Sequence, residues 1–233
     1  MSDEERALVL LPPGAPLWFP DPLRAGADGE LAFGADLSVP RLLLAYRTGI
    51  FPWFTDEYPI VWWSPDPRAR IEPERLHVSA RLARRLRSGV FRFTWDRAFE
   101  RVMRACGERR EGTWIVPRML RAYAELHRAG HAHSVEVWCG DDLVGGIYGV
   151  HVGGVFAGES MFHRVTDASK AALVVAVRSL FRRGIVLFDA QMPNPHILRM
   201  GATVVSRAEH VAAIRRAAEL HVDLAGLELT WEA

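Results

Sequence analysis

Cysteine and lysine are both nearly missing from this chain of 233 residues. Cys106 and Cys139 are its two thiols, too few for a disulfide framework or a four-ligand zinc cage. Lys170 is the single lysine, so positive charge rests on arginine, and the net charge is only +1. That balance excludes a protein whose whole surface is a polycation. No apolar stretch approaches the roughly 20 residues of a membrane span. The acidic opening MSDEERALVLL also lacks the basic start and long apolar run of a signal peptide. A cytoplasmic protein is expected, with no membrane partner. A GxSxG elbow, a phosphate loop and a dinucleotide fingerprint are absent too, so no cofactor is expected. His131 and His133 can share a strand face but have no third ligand at metal spacing, so no metal is expected either.

What is present is an ordinary globular composition, 49% hydrophobic and 24% charged, long enough for one large domain or a medium one plus a small one. The first sixty or so residues are rich in proline and aromatics. Ser38 reads as the N-cap of a helix carrying Leu42, Leu43 and Tyr46 on one face, with Gly49 as its stop. GIFPWF and PIVWWSPDPR follow, and Pro65 and Pro67 place a boundary near residue 66. The expected division is a small N-terminal domain, 1–66, and a larger one, 67–233. In the second unit, amphipathic spacing predicts helices over 79–88, 99–106 and 117–130. Short β-rich runs from 133 to 158 read as an antiparallel meander. A helix over 168–182 leads to a strand at Ile185–Asp189, then short helices and a β-like segment at Val222–Trp231. The order reads as α+β with a mixed central sheet.

Two features carry chemistry. The first is charge clustering: from Arg68 to Arg110 thirteen arginines face five acids. Arg81, Arg84, Arg85 and Arg87 lie on one helix with few offsetting acids, which makes them either a solvated face or contacts for nucleic-acid phosphates. Trp53, Trp62, Trp63 and Trp114 supply either core filling or a stacking platform for bases. The second feature is a set of polar interruptions in the strands. Glu159 closes one apolar run, and Asp189 and Gln191 close another, two residues apart and so on one face. Carboxylates at strand ends are costly unless something pairs with them, so these are structural acids bonded to loops or parts of a site that handles an amine.

The runs GADLSVPRLLLAYRTGIFPWF, PIVWWSPDPRA, GTWI, AYAELHRAGHAHSVEVW, LVGGIYGV, GESMF, ASKAAL and DAQ stand in order over roughly residues 17 to 205. Together they resemble the bacterial leucyl/phenylalanyl-tRNA–protein transferases. The resemblance implies a small N-terminal domain joined to a larger acetyltransferase-like (GNAT-like) domain. It implies transfer of Leu or Phe, less readily Met, from the acceptor end of aminoacyl-tRNA to proteins beginning with Arg or Lys, which marks them for degradation. A monomer is expected. By resemblance, Glu159 binds the donor's α-amino group, Asp189 and Gln191 form the catalytic pair, and Trp53 and Trp114 flank the terminal adenosine. Tyr123 and Asn194 lie near the same end, and Ile147, Phe156, Met161 and Leu173 line an apolar side-chain pocket. Arg81, Arg84, Arg85 and Arg87 are the expected tRNA phosphate contacts.

An Asp with pKa about 4 is roughly four units too acidic to deprotonate an α-amine of pKa about 8. The expected mechanism therefore has Asp189 orient Gln191, whose carbonyl accepts from the attacking amine, while the ribose 2′-hydroxyl shuttles the proton. Some positions depart from the family. Gly34-Ala35-Asp36 replaces GGD and Asp189-Ala190-Gln191 replaces DCQ; Met161-Phe162-His163-Arg164 and Asp167-Ala168-Ser169-Lys170 replace MFSR and NASK. Ala176 stands where relatives carry Phe, which would widen the side-chain pocket. Two rivals remain. An acyl-CoA-dependent N-acetyltransferase would want a glycine-rich pyrophosphate loop, where this chain reads SMFHRVTDASK. A non-catalytic tRNA-binding module would bind tRNA yet tolerate loss of Asp189 and Gln191.

Overall fold

A computed structural model describes residues 8–109 and 112–232. Arg110 of the basic cluster and the opening MSDEERA lie outside the described residues. The first part forms β1 (Val9–Leu11), β2 (Glu30–Gly34), α1 (Val39–Arg47), β3 (Phe51–Pro52) and β4 (Val61–Trp63). Its four strands make a small sheet in the order β1-β2-β4-β3. The chain then runs through β5 (Arg68–Ile71), α2 (Ala80–Arg87), β6 (Arg92–Trp95), α3 (Phe99–Gly107) and α4 (Pro117–Arg128). The meander follows as β7 (Ala132–Cys139), β8 (Asp142–Val152) and β9 (Val155–His163). After it come α5 (Ala168–Arg182), β10 (Leu187–Gln191), α6 (Pro195–Arg199), β11 (Thr203–Val205) and α7 (Arg207–Ala217).

The larger sheet has seven strands in the order β11-β5-β10-β9-β8-β7-β6. It is mixed: β10 runs parallel to β9, because α5 crosses over between them, and the remaining neighbours are antiparallel. Helices cover both faces, so the interior strand β8 is buried along almost its whole length and reads as a largely apolar and glycine run. The glycine pair in LVGGIYGV serves this layering. A Cβ on Gly145 would stand 2.6 Å from Ala168 of α5, and one on Gly146 would stand 3.0 Å from Val102 of α3. One core cluster joins the small sheet, α1, α3 and α4 through Trp62, Tyr46, Phe99 and Tyr123. A second lies on the other face, around α5 and α2.

The four strands of the small sheet go beyond the sequence expectation, and so do three short strands of the larger one. Strands β5 (RARI) and β6 (RFTW) carry arginines that break the apolar signal, and β11 has only three residues. Val222–Trp231, expected as β-like, is not a strand. Its backbone is held instead by side chains of α5 and of the residue that follows it: Ser179 Oγ accepts from Thr230 N at 2.8 Å, and Arg183 donates to Asp223 O at 2.6 Å. Leu224 and Leu227 still enter the second core cluster, so the alternating apolar residues are buried without a ladder. Asp189 and Gln191 do not follow simple alternation either. A register shift separates them against β5, and Gln191 has φ +59°.

Helix capping also departs from expectation at one place. Ser38 occupies the N-cap of α1, but its side chain makes no capping bond, and its own N–H donates to Asp36 Oδ1 at 2.9 Å. Ser206 caps α7, accepting from Glu209 N at 3.2 Å. Ser206→Ala should therefore lower the unfolding free energy by about 1 kcal/mol, and Ser38→Ala by less than about 0.5 kcal/mol. Urea titration of the two variants checks this; equal losses would contradict the capping assignment.

Candidate active site

Pairing of β10 with β9 runs through Leu187↔Val155, Phe188↔Phe156 and Asp189↔Ala157, then stops. Beyond that point the strands part, and Gly158–Met161 and Ala190–Met192 line a cleft of about 600 Å³. The parting has a local cause: Gln191 turns into the left-handed region, which few non-glycine residues adopt without support. The support comes from Asp189, whose Oδ1 accepts the Gln191 N–H at 2.8 Å.

Asp189 itself does not line the cleft. It is 2% exposed and faces the turn after α1 and helix α7. Arg68 Nη2 donates to its Oδ2, and Arg68 Nη1 donates to Gly49 O at 2.9 Å. The Arg68 guanidinium also lies 5.1 Å from the ring centre of Phe51, a residue of the cleft wall. His210 Nε2 stands 3.4 Å from the same Oδ2. Burial alone would push the Asp189 pKa up; the Arg68 charge, with His210 beside it, reverses this and holds the carboxyl well below the usual range.

Glu159 is the opposite case. It is half-buried, with one side on the cleft. Its Oε1 accepts from the Tyr46 hydroxyl and from Gln191 Nε2, both at 2.7 Å. Its Oε2 has only the Tyr123 hydroxyl, at 3.5 Å. Tyr46 and Tyr123 bond each other through their hydroxyls, and burial holds both phenols protonated. No cation pairs with Glu159 among the described residues. Burial pushes its pKa up to about 8, the Asp189 charge adds to that push, and the Tyr46 and Gln191 bonds pull against it. Because Gln191 gives its amide N–H to Glu159, its carbonyl oxygen is left for another donor.

The other expected site residues fall into three groups. Trp53, Trp114, Ile147, Met161, Leu173 and Asn194 line the cleft. Asn194 is also committed structurally, since its Oδ1 caps α6 by accepting from His196 N and Ile197 N at 3.0 Å each. Tyr123 and Phe156 do not line it. Tyr123 is fully buried behind Glu159, and Phe156 packs behind Phe188, with ring centres 5.5 Å apart. Ala176 is likewise fully buried and absent from the cleft wall. The α2 arginines form the third group, away from the cleft wall. Arg81 pairs with Asp167 at 3.0 Å and Arg85 lies 4.9 Å over the Phe91 ring, whereas Arg84 and Arg87 point to solvent. His133 is not placed for a metal, because Asp96 and Gly130 O engage its two ring nitrogens.

Sequence reasoning missed Tyr46, Arg68, His210 and Arg109 as site neighbours. Arg109 lines the cleft and donates to Ser160 Oγ at 2.8 Å. Tyr46 carried a faint signal, a phenol on an otherwise aliphatic helix face that must find a partner when buried. Arg68 and His210 carried none, since their role depends on contacts 121 and 21 positions away from Asp189.

The sequence model described as leucyl/phenylalanyl-tRNA protein transferase matches residues 70–215, and that of its N-terminal domain matches residues 35–66. A leucyl/phenylalanyl-tRNA–protein transferase of Anaeromyxobacter sp. (strain Fw109-5) is 55% identical over 203 residues, covering 85% of this chain and 86% of that one. One from Methylococcus capsulatus (strain ATCC 33009 / NCIMB 11132 / Bath) is 48% identical over 225 residues, covering 95% and 92%. Solved structures are more distant. A GCN5-related N-acetyltransferase-like protein from Streptococcus suis has 11% identity and a TM-score of 0.36, covering 69% of this chain and 61% of that one. L-PGS from Bacillus licheniformis has 10% identity and a TM-score of 0.40, covering 71% and 53%. Neither carries an argument at that level. The two sequence models and the near-complete alignments at about half identity establish that the chain belongs to the leucyl/phenylalanyl-tRNA–protein transferase family.

Proposed function

We propose that this protein transfers Leu or Phe, less readily Met, from aminoacyl-tRNA to proteins whose N-terminal residue is Arg or Lys. The modification marks the recipient for degradation, and the work takes place in the cytoplasm. One observation carries the reading: a cleft carboxyl, Glu159, has two phenols and an amide around it but no cation among the described residues. An ammonium group is the ligand that completes it.

The donor ester is already activated, so peptide-bond formation needs no ATP. Glu159 takes the α-ammonium of the donor, and ionises as it does so because the bound charge lowers its pKa. Ile147, Met161, Leu173 and Phe188 receive the apolar side chain. Trp53, 37% exposed and 5.2 Å from the Trp63 ring, offers with Trp114 a stacking surface for the terminal adenosine. The attacking α-amine has a pKa near 8, so roughly a tenth is free base at neutral pH. Its N–H donates to the Gln191 carbonyl, which steers the nitrogen lone pair toward the ester carbon. The C–N bond forms and the C–O ester bond breaks. The proton lost by nitrogen passes through the neighbouring 2′-hydroxyl to the departing 3′-oxygen. Asp189 is held below the ordinary carboxylate range, which widens its mismatch with the amine and leaves it an orienting role.

Phosphates of the acceptor arm meet the basic face of α2. Arg84 and Arg87 are the solvent-facing pair there, while Arg81 and Arg85 are partly engaged by Asp167 and Phe91. The functional division at residue 66 fits this picture, the first unit supplying Trp53 and Phe51 and the second supplying the carboxyls and the amide.

The direct test uses purified protein, Leu-, Phe- and Met-tRNA, and peptides starting with Arg, Lys, Asp or Ala. Product with Arg and Lys starts is expected; product only with an acidic start, or none with any donor, would sink the reading. Asp189→Asn should lower kcat by about 10²-fold through lost positioning, and near-full turnover in that variant would remove Asp189 from the mechanism. Replacing Arg84 and Arg87 by Ala should flatten the slope of log K against log salt by about 0.7–0.9 for each phosphate that is no longer neutralised; a filter-binding series in KCl reads it.

Glu159 gives a pH test. Its folded pKa is about 8, against about 4.3 unfolded. Between those values the unfolded chain binds fewer protons than the folded one, so stability falls as pH rises through the window. Glu159→Gln removes that penalty. The variant should gain little at pH 4.5 and progressively more toward pH 8, with transfer abolished. Urea midpoints at the two pH values measure the gain, and an equal gain at both would contradict it.

A further inference from the structure

Behind Asp189 lies a buried polar chain that the transfer step described above leaves without a task. His210, on α7, has no exposed surface. Its Nδ1 accepts from Arg70 Nε at 3.0 Å. A guanidinium keeps its protons in any folded protein, so Nδ1 must carry the lone pair and the ring proton sits on Nε2. Nε2 is 3.4 Å from Asp189 Oδ2, a contact without hydrogen-bond alignment, and it has no hydrogen-bond partner among the described residues. Burial lowers the proton affinity of the ring, with the Asp189 charge acting against it and the Arg68 and Arg70 charges acting with it. Arg70 in turn faces Glu209 at 3.5 Å. A histidine that only filled space beside Gly49, Val211 and Ile214 would need neither this tautomer nor this approach to a carboxylate.

We propose that His210 is a positioning residue for the transfer reaction. With Arg68 it fixes the Asp189 carboxylate from behind, so that Oδ1 holds the Gln191 N–H and keeps Gln191 at φ +59° with its carbonyl in the cleft. The inference rests on the reading of Gln191 as acceptor for the attacking amine. His210 touches no substrate; it acts through Asp189.

Two variants separate this role from simple packing. In His210→Gln the amide oxygen can accept from Arg70 while the amide N–H donates to Asp189. In His210→Phe the ring volume stays, while the Arg70 bond and the polar contact with Asp189 go. His210→Phe should lose roughly 10- to 100-fold in kcat, the size expected when a buried polar partner is removed. Its KM values for Phe-tRNA and for an Arg-initiated peptide should stay within about twofold, and His210→Gln should keep kcat within about threefold of the parent, because a polar group still faces both Arg70 and Asp189. Full kcat in the Phe variant would overturn the proposal. So would a rise in KM alone, or an equal loss in a Gln variant that melts with the parent. If the Phe variant does not fold, Arg70→Leu frees Nδ1 from the half-buried side and should lower kcat in the same way; unchanged kcat there also overturns it. Independently, the long-range ¹H–¹⁵N histidine spectrum of the unmodified protein should show His210 protonated on Nε2, and an Nδ1–H tautomer would end the argument. That spectrum stands whatever the activity assay finds, so a failure of the transferase reading is distinguishable from a failure of this one.

Discussion

A carboxylate with almost no exposed surface has to be paired, and the pairing of Asp189 with Arg68 ties together the parts of the chain that build the cleft. Arg68 opens β5, the first strand after the small sheet. Its second N–H reaches the carbonyl of Gly49 at the end of α1, and its guanidinium face lies on Phe51. Asp189 passes the constraint on through its other oxygen to the backbone of Gln191. One buried ion pair thus sets the cleft's wall on the N-terminal side and the turn that opens β10 away from β9. Replacing either partner would leave a charge without compensation, the costliest kind of change a core can suffer.

The same arrangement explains why two carboxyls of one sheet behave oppositely. Asp189 has a guanidinium within bonding distance and stays ionised; Glu159 has only neutral donors and keeps its proton to about pH 8. Their environments push their proton affinities apart, and such divergence is what a site with two different tasks requires. Glu159 is the group whose proton affinity lies near that of an amine. Asp189, which by position invites the name of base, is the less suited of the two.

Much of this was legible in the sequence. The helices at 79–88, 99–106, 117–130 and 168–182 have clear amphipathic or buried periodicity and end at serine, proline and glycine signals, and the meander is marked by its turns. Glu159, Asp189 and Gln191 stood out because polar groups at the ends of apolar strands demand partners. The partners themselves were not legible. Tyr46, Arg68 and His210 are brought to the site by the packing of α1, β5 and α7, and no local pattern encodes such contacts. Alternation also misled at Gln191, because it assumes an unbroken ladder, and the register shift there moves the side chain toward Glu159 while Asp189 stays behind the wall. Phe156 and Ala176 show the same limit: both are buried one layer behind the residues that line the cleft.

The paired glycines of β8 bear on the width of the cleft. Helix α5 carries Leu173 and Ser169 of the cleft wall and rests on the strand where Gly145 has only a hydrogen. The distance between wall and sheet is thus fixed by backbone thickness. A methyl at Gly145 would lift the start of α5 away from the sheet, and one at Gly146 would do the same to α3 on the opposite side. The room between helix and sheet is in this sense a property of the scaffold's spacing, set at strand glycines and not by the side chains that face the cleft.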